Sequence, residues 1–224
     1  MTFKLTRMET AAGIVVLAQA ALAAFVARFG TTGPVPMHFD LAGNPDRWGD
    51  RIEAAGAILV IAGITAICAG AMAFGLRTSQ PDAARRRGLT IGMGLILVTL
   101  GAVALLPFIL ATPVVSQVEA GRLGGAFICL ILAVTGAVLG KVPPNALVGV
   151  RTPWSLNSRL AWDRSNRLAG RLFFWGGLMG MPVSLMLPPH VAMSGVTTGV
   201  LLIAVYVVFE SWRVWKSDPD RRAV

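Results

Sequence analysis

The chain has 224 residues, 55% of them apolar and 14% charged, with a mean hydropathy of +0.68 and a formal net charge of +9. A soluble domain carries roughly 25% charged residues, so this composition excludes an ordinary soluble fold and points to a membrane protein. The basic residues gather between apolar stretches, which makes the charge a matter of membrane topology rather than of nucleic-acid binding.

Six apolar stretches follow one another, at 10–29, 54–76, 89–111, 123–140, 168–187 and 191–212. Each is close to the ~20 residues that a helix needs to cross a hydrocarbon core of ~30 Å. The expected fold is therefore all-α: a polytopic membrane protein with six transmembrane helices in one bundle. No stretch has an acidic or basic residue in its middle; Arg28, Arg171 and Glu210 sit near ends, where long side chains reach the headgroups. The first stretch follows Lys4 and Arg7 and ends in small residues, as a signal peptide does. It is too long for a signal core and five more follow, so it is expected to remain as a span.

With the N-terminus inside, segments 1–9, 77–88, 141–171 and 213–224 hold 16 of the 20 Lys and Arg. Arg28, Arg47, Arg51 and Arg122 are left outside. By the positive-inside rule both termini are expected in the cytoplasm. Three spans precede residue 120 and three follow. Residues 1–120 form an N-terminal half with an outer loop at 30–53, and 121–224 a C-terminal half with an inner loop at 141–171. The two loops share a loose pattern, at 35–43 and 142–149, of the kind that inverted repeats leave in transporters.

The outer loop is rich in turn formers, including Gly33-Pro34, Asn44-Pro45 and Trp48-Gly49. Val35–Phe39 can form a short strand, which Pro36 confines to an edge. His38 and Asp46 are expected to hydrogen-bond within a compact loop, with Arg47 or Arg51 as a further ion partner of Asp46. One imidazole and loose carboxylates are poor material for a metal site, which needs three or four ligands in fixed geometry. No nucleophile, zinc or phosphate-loop motif is present, and no span carries a central carboxylate. No metal, cofactor or catalytic residue is expected, and the chain is read as a non-enzyme. Gln19, Thr65 and Thr135 are expected to bridge helices. Cys68 and Cys129 fall within spans and read as free apolar thiols. Glycine pairs at four-residue spacing (Gly88/Gly92, Gly121/Gly125, Gly136/Gly140, Gly176/Gly180 and Gly195/Gly199) read as close helix packing.

The inner loop carries the densest pattern. Val142-Pro143-Pro144-Asn145 stops the fourth span. Gly149, Arg151, Thr152, Pro153 and Trp154 follow. Ser155 or Asn157 is expected to cap a helix over 158–168 that runs into the fifth span. On it, Arg164, Arg167 and Arg171 share one side, and Asp163 is placed to pair with Arg159 or Arg167. An interfacial helix explains part of this, with Trp154 and Trp162 at headgroup depth and the arginines on anionic lipids. It does not explain why Pro143, Asn145, Gly149 and Pro153 crowd one short loop.

Pro144-Asn145, Gly149, Arg151-Thr152-Pro153-Trp154-Ser155-Leu156, Trp162 and Arg167 with Ala169-Gly170 resemble the signature of the SdpI-type immunity protein family. The outer pattern Pro36, His38-Phe39, Gly43, Pro45-Asp46-Arg47 and Gly49 is similar to the small region that often precedes it. Ser165-Asn166 stands where the family has a threonine-histidine pair. The resemblance implies a bacterial plasma-membrane protein that protects its cell from a secreted peptide toxin, with signalling by capture of a cytoplasmic transcriptional repressor as a second role. His38, Phe39, Asp46 and Arg47 would face the toxin. Asn145, Gly149, Arg151, Thr152, Pro153, Trp154, Trp162 and Asp163 would serve the inner partner. A small transporter or flippase-like protein is the runner-up, and an intramembrane metal-dependent enzyme using His38 the third reading.

Overall fold

The structure, a computed structural model, describes residues 5–40, 43–78, 83–112, 117–144 and 148–224. The elements in chain order are α1 (Arg7–Phe29), β1 (Val35–Phe39), β2 (Pro45–Gly49), α2 (Arg51–Thr78), α3 (Ala83–Leu110), α4 (Gln117–Leu139), α5 (Pro153–Leu156), α6 (Arg159–Met186) and α7 (Pro189–Ser217). The long helices start before the apolar stretches or run past them, because local chemistry sets their ends. Thr6 and Glu9 form a reciprocal capping box at the start of α1. Asp50 accepts the N–H groups of Ile52 and Glu53 at the start of α2, both at 2.8 Å.

Among the described residues, α1, α2, α3, α4 and α7 are long and apolar enough to cross a membrane. The expected span at 168–187 falls on the C-terminal part of α6 and its C-cap Leu187, where Arg171, four glycines, Pro182 and Ser184 dilute the apolar character. The described chain is also not purely α-helical. β1 and β2 pair antiparallel, with Val35 opposite Gly49, Pro36 opposite Trp48 and His38 opposite Arg47. A two-stranded sheet has only edges, so Pro36 costs no internal ladder bond.

The helices α1, α2 and α3 pack on one another. Ala23, Val26, Ile58 and Ala104 form a core near the hairpin, and Ala12, Met72, Met93 and Leu97 one at the far end. Between them, Gln19 donates to Thr65 Oγ1 at 3.2 Å and to the Leu100 carbonyl at 3.1 Å, as a bridge in lipid should. Glu9 and Arg77 tie the far ends of α1 and α2 through two hydrogen bonds of 2.7–2.8 Å.

The helix α6 packs antiparallel along nearly all of α4. Gly140 lies beside Arg167, Gly136 beside Gly170 and Phe174, Gly177 beside Cys129 and Ala133, and Gly125 beside Ser184. Arg122 Nε donates to the Leu187 carbonyl at 3.3 Å, level with the start of α4. A Cβ on Gly136 would strike the backbone of Phe174, so the two main chains are in contact there. The expected packing role does not extend to Gly195/Gly199: no described atom lies within 4 Å of a Cβ at either, and both line a cavity that α7 shares with α4 and α6. Cys68 and Cys129 are free.

Candidate functional site

After α4 the backbone must turn over the end of α6, and one side-chain pair on α6 sets its course. Trp162 is fully buried, and its Nε1–H donates to the Val142 carbonyl at 3.0 Å. Asn166, one turn further on, accepts the Val150 N–H at 2.8 Å and donates to the Trp162 carbonyl at 2.9 Å. Gly149 crosses directly above them with φ +134. A Cβ there would lie 2.7 Å from Trp162 Cη2 and 2.8 Å from Asn166 Oδ1, so glycine is required by conformation and by space.

The chain then enters α5. Thr152 and Ser155 cap it reciprocally, with Pro153 in the first turn, where its missing N–H costs nothing. Ser155 also donates to the Val150 carbonyl, and Thr152 Oγ1 shares a 2.8 Å hydrogen bond with Ser211 on α7. Ser158, rather than Ser155 or Asn157, caps α6 by accepting the Ala161 N–H at 2.9 Å. It donates to Asp218, just past α7, and the Arg222 N–H donates to the Asn157 carbonyl at 2.8 Å. The hydroxyl of Ser158 and the N–H of Asp220 hold the Asp218 carboxyl below its usual range. The inner loop is thus fastened to α6, to α7 and to the segment after α7.

Trp162 is therefore core and faces no lipid headgroup. Trp154 is partly exposed over an apolar hollow on α7 formed with Val205, Val208, Phe209 and Trp212. Arg151 is exposed, and Asp163 makes no ion pair with Arg159 or Arg167 among the described residues. Asn145 lies outside the described residues. Ser211 and Asp218 are not among the residues named from the sequence; Ser155 enters there as a helix cap and a motif residue, and Asn166 only as a departure from the family's pair. The spacing of Trp162, Ser165, Asn166 and Ala169, all on one helix face, was the signal for Asn166.

At the other end of α4, His38 Nδ1 lies 2.6 Å from Asp46 Oδ1, and Arg47 pairs with Glu53. The expected His38–Asp46 hydrogen bond is thus present, whereas Asp46 pairs with neither Arg47 nor Arg51 among the described residues. Both side chains of the first pair are exposed, while Phe39 packs toward the core. Among the described residues no three His, Cys, Asp or Glu gather to hold a metal. The hairpin tip, where Gly43 has φ +79, rests on Pro189 and Met193, with Gly121 against the Gly43 carbonyl. Gly121 and Gly140 are separated by about 29 Å of helix rise, so the outer and inner residues form two separate sites.

Residues 141–211 match the model of the SdpI/YfhL protein family. The resemblance seen in the loop residues thus holds over the inner loop, α5, α6 and most of α7. The SdpI/YfhL segment ends at Ser211, the hydroxyl that meets Thr152. No curated protein and no solved structure matches the chain.

Proposed function

We propose that this chain is a bacterial membrane immunity protein that protects its cell from a secreted antimicrobial peptide, and that its inner loop reports to a cytoplasmic repressor. The observation that carries this reading is the coincidence of the family match at 141–211 with a loop fastened by the buried side chains of Trp162 and Asn166. A loop that only linked two spans would need no buried tryptophan and asparagine beneath it. The fastening leaves Arg151, Leu156 and Leu160 exposed on one elbow, a surface suited to a protein partner. The hairpin offers His38, Asp46 and Arg47 to a peptide on the other side.

In this reading α6 is a sixth crossing. It runs beside α4 from Gly140 to Gly125, so its part from Arg167 to Leu187 covers the thickness that α4 covers. Six crossings bring both termini to the side that holds 16 of the 20 basic residues, the cytoplasm of an inner-membrane protein.

The test is survival. A sensitive bacterial host expressing the chain is challenged with a panel of secreted antimicrobial peptides, beside a host expressing Gly149→Leu at matched membrane level. Protection against at least one peptide by the native chain alone is the expected result. Equal killing of all three strains, including the empty-vector control, contradicts the proposal.

A further inference from the structure

A cavity of about 1020 Å³ opens where α4 ends against α6 and α7. Its floor is glycine: Gly136, Gly140 and Gly170 bring the backbones together and leave no side chain to fill the space. Around its rim stand Lys141, Arg164, Arg167 and Arg171. All four are exposed, and none of their side chains forms an ion pair or hydrogen bond among the described residues. Like charges three and four residues apart on one helix repel and weaken it. An anion lying among them removes that cost and gains charge-assisted hydrogen bonds from the guanidinium forks.

Glu210 also lines the cavity, but it is already held by Arg213 through bonds of 2.7 and 2.8 Å. The site therefore keeps a surplus of positive charge. Beyond Arg171, within one helical turn, the wall becomes Phe174 and Trp175, and Trp175 is 57% exposed. A ligand that satisfies both parts has a negative head and an apolar body. A free phosphate would leave the aromatic wall bare, and an acidic protein segment would have to lay charge against it.

We propose that this groove binds an anionic phospholipid, its phosphate among Lys141, Arg164, Arg167 and Arg171 and its acyl chains along Phe174 and Trp175. This gives the lipid contact suggested by the basic face of α6 a defined site. It does not depend on the immunity reading: a chain that binds such a lipid selectively and protects no cell leaves it standing.

The test is native mass spectrometry of the full chain released from detergent, titrated with dioleoyl phosphatidylglycerol, dioleoyl phosphatidylcholine, inorganic phosphate or a glutamate-rich peptide. Arg164→Gln/Arg171→Gln is compared with Arg86→Gln/Arg87→Gln, an exposed basic pair at the start of α3. The expected result is a preference for phosphatidylglycerol over phosphatidylcholine of about tenfold or more. The groove variant loses that preference and the α3 variant keeps it. The melting temperature in detergent should rise with phosphatidylglycerol in the native chain and not in the groove variant. Equal affinity for the two lipids, or equal loss in both variants, overturns the proposal. So does stabilisation by inorganic phosphate alone, which marks a soluble-anion site. Tighter binding of the glutamate-rich peptide than of phosphatidylglycerol assigns the groove to an acidic protein segment and overturns it too.

Discussion

The indole N–H of Trp162 donates to the carbonyl of Val142 at 3.0 Å, and this bond joins the exit of α4 to the first turns of α6. Val142 is itself buried, so its carbonyl has no easy recourse to water. Trp162→Phe preserves most of the packing and leaves that acceptor unpaired, at a cost of about 1–3 kcal/mol. Gly149→Ala is expected to cost a similar or larger amount, because the Cβ meets both Trp162 and Asn166 in a backbone region that suits only glycine. Detergent melting curves check both; unchanged curves would mean the loop is not fastened as described.

Helix contact between α4 and α6 depends on missing side chains. Gly136→Ala should destabilise by about 1–3 kcal/mol, since its Cβ would run into the backbone of α6. Gly195→Ala faces open space and should stay within about 0.5 kcal/mol of the native chain. Comparable losses for the two in a thermal assay would count against the main-chain contact.

Asp218 makes one contribution to stability depend on pH. Its folded pKa is held below the unfolded value by Ser158 and by the Asp220 N–H. The stabilisation is therefore complete above the usual Asp range and fades as pH falls through the folded pKa. Asp218→Asn should melt below the native chain at pH 7, and the gap should narrow as the pH is taken toward 3. A gap that is constant with pH contradicts this role.

Topology follows from the charge bias. Thr32 and Arg159 are both exposed, one before the hairpin and the other at the start of α6. In intact cells an impermeant maleimide should label Thr32→Cys and spare Arg159→Cys until the membrane is permeabilised. The reverse pattern would invert the protein.

The helical crossings were legible because long apolar runs leave few alternatives. The hairpin was only half legible: Val35–Phe39 has strand character, whereas its partner, Pro45 to Gly49, is polar and shows no apolar alternation. The polar first half of α6 obscured its length. The residues of the inner loop were found, but not their work. A tryptophan in a basic helix beside a membrane fits the interface as well as the core, and only the position of Val142 decides for the core. Asn166 stood out only as a departure from the family's pair, because its work is done on the Val150 N–H, a backbone group that leaves no mark on the sequence.

If the fastened loop is a recognition surface, the side chain that shows it is Arg151. Arg151 is exposed and its side chain makes no hydrogen bond or ion pair among the described residues, so Arg151→Lys and Arg151→Ala should both melt as the native chain does. A partner that reads the planar guanidinium fork distinguishes arginine from lysine, whereas a headgroup needs only positive charge. The measurement is survival of a sensitive host under a peptide against which the native chain protects, with variant levels matched by immunoblot. Arg151→Lys is expected to lose nearly as much protection as Arg151→Ala, while Arg164→Lys loses little. Full protection by Arg151→Lys would contradict a recognition role for the loop.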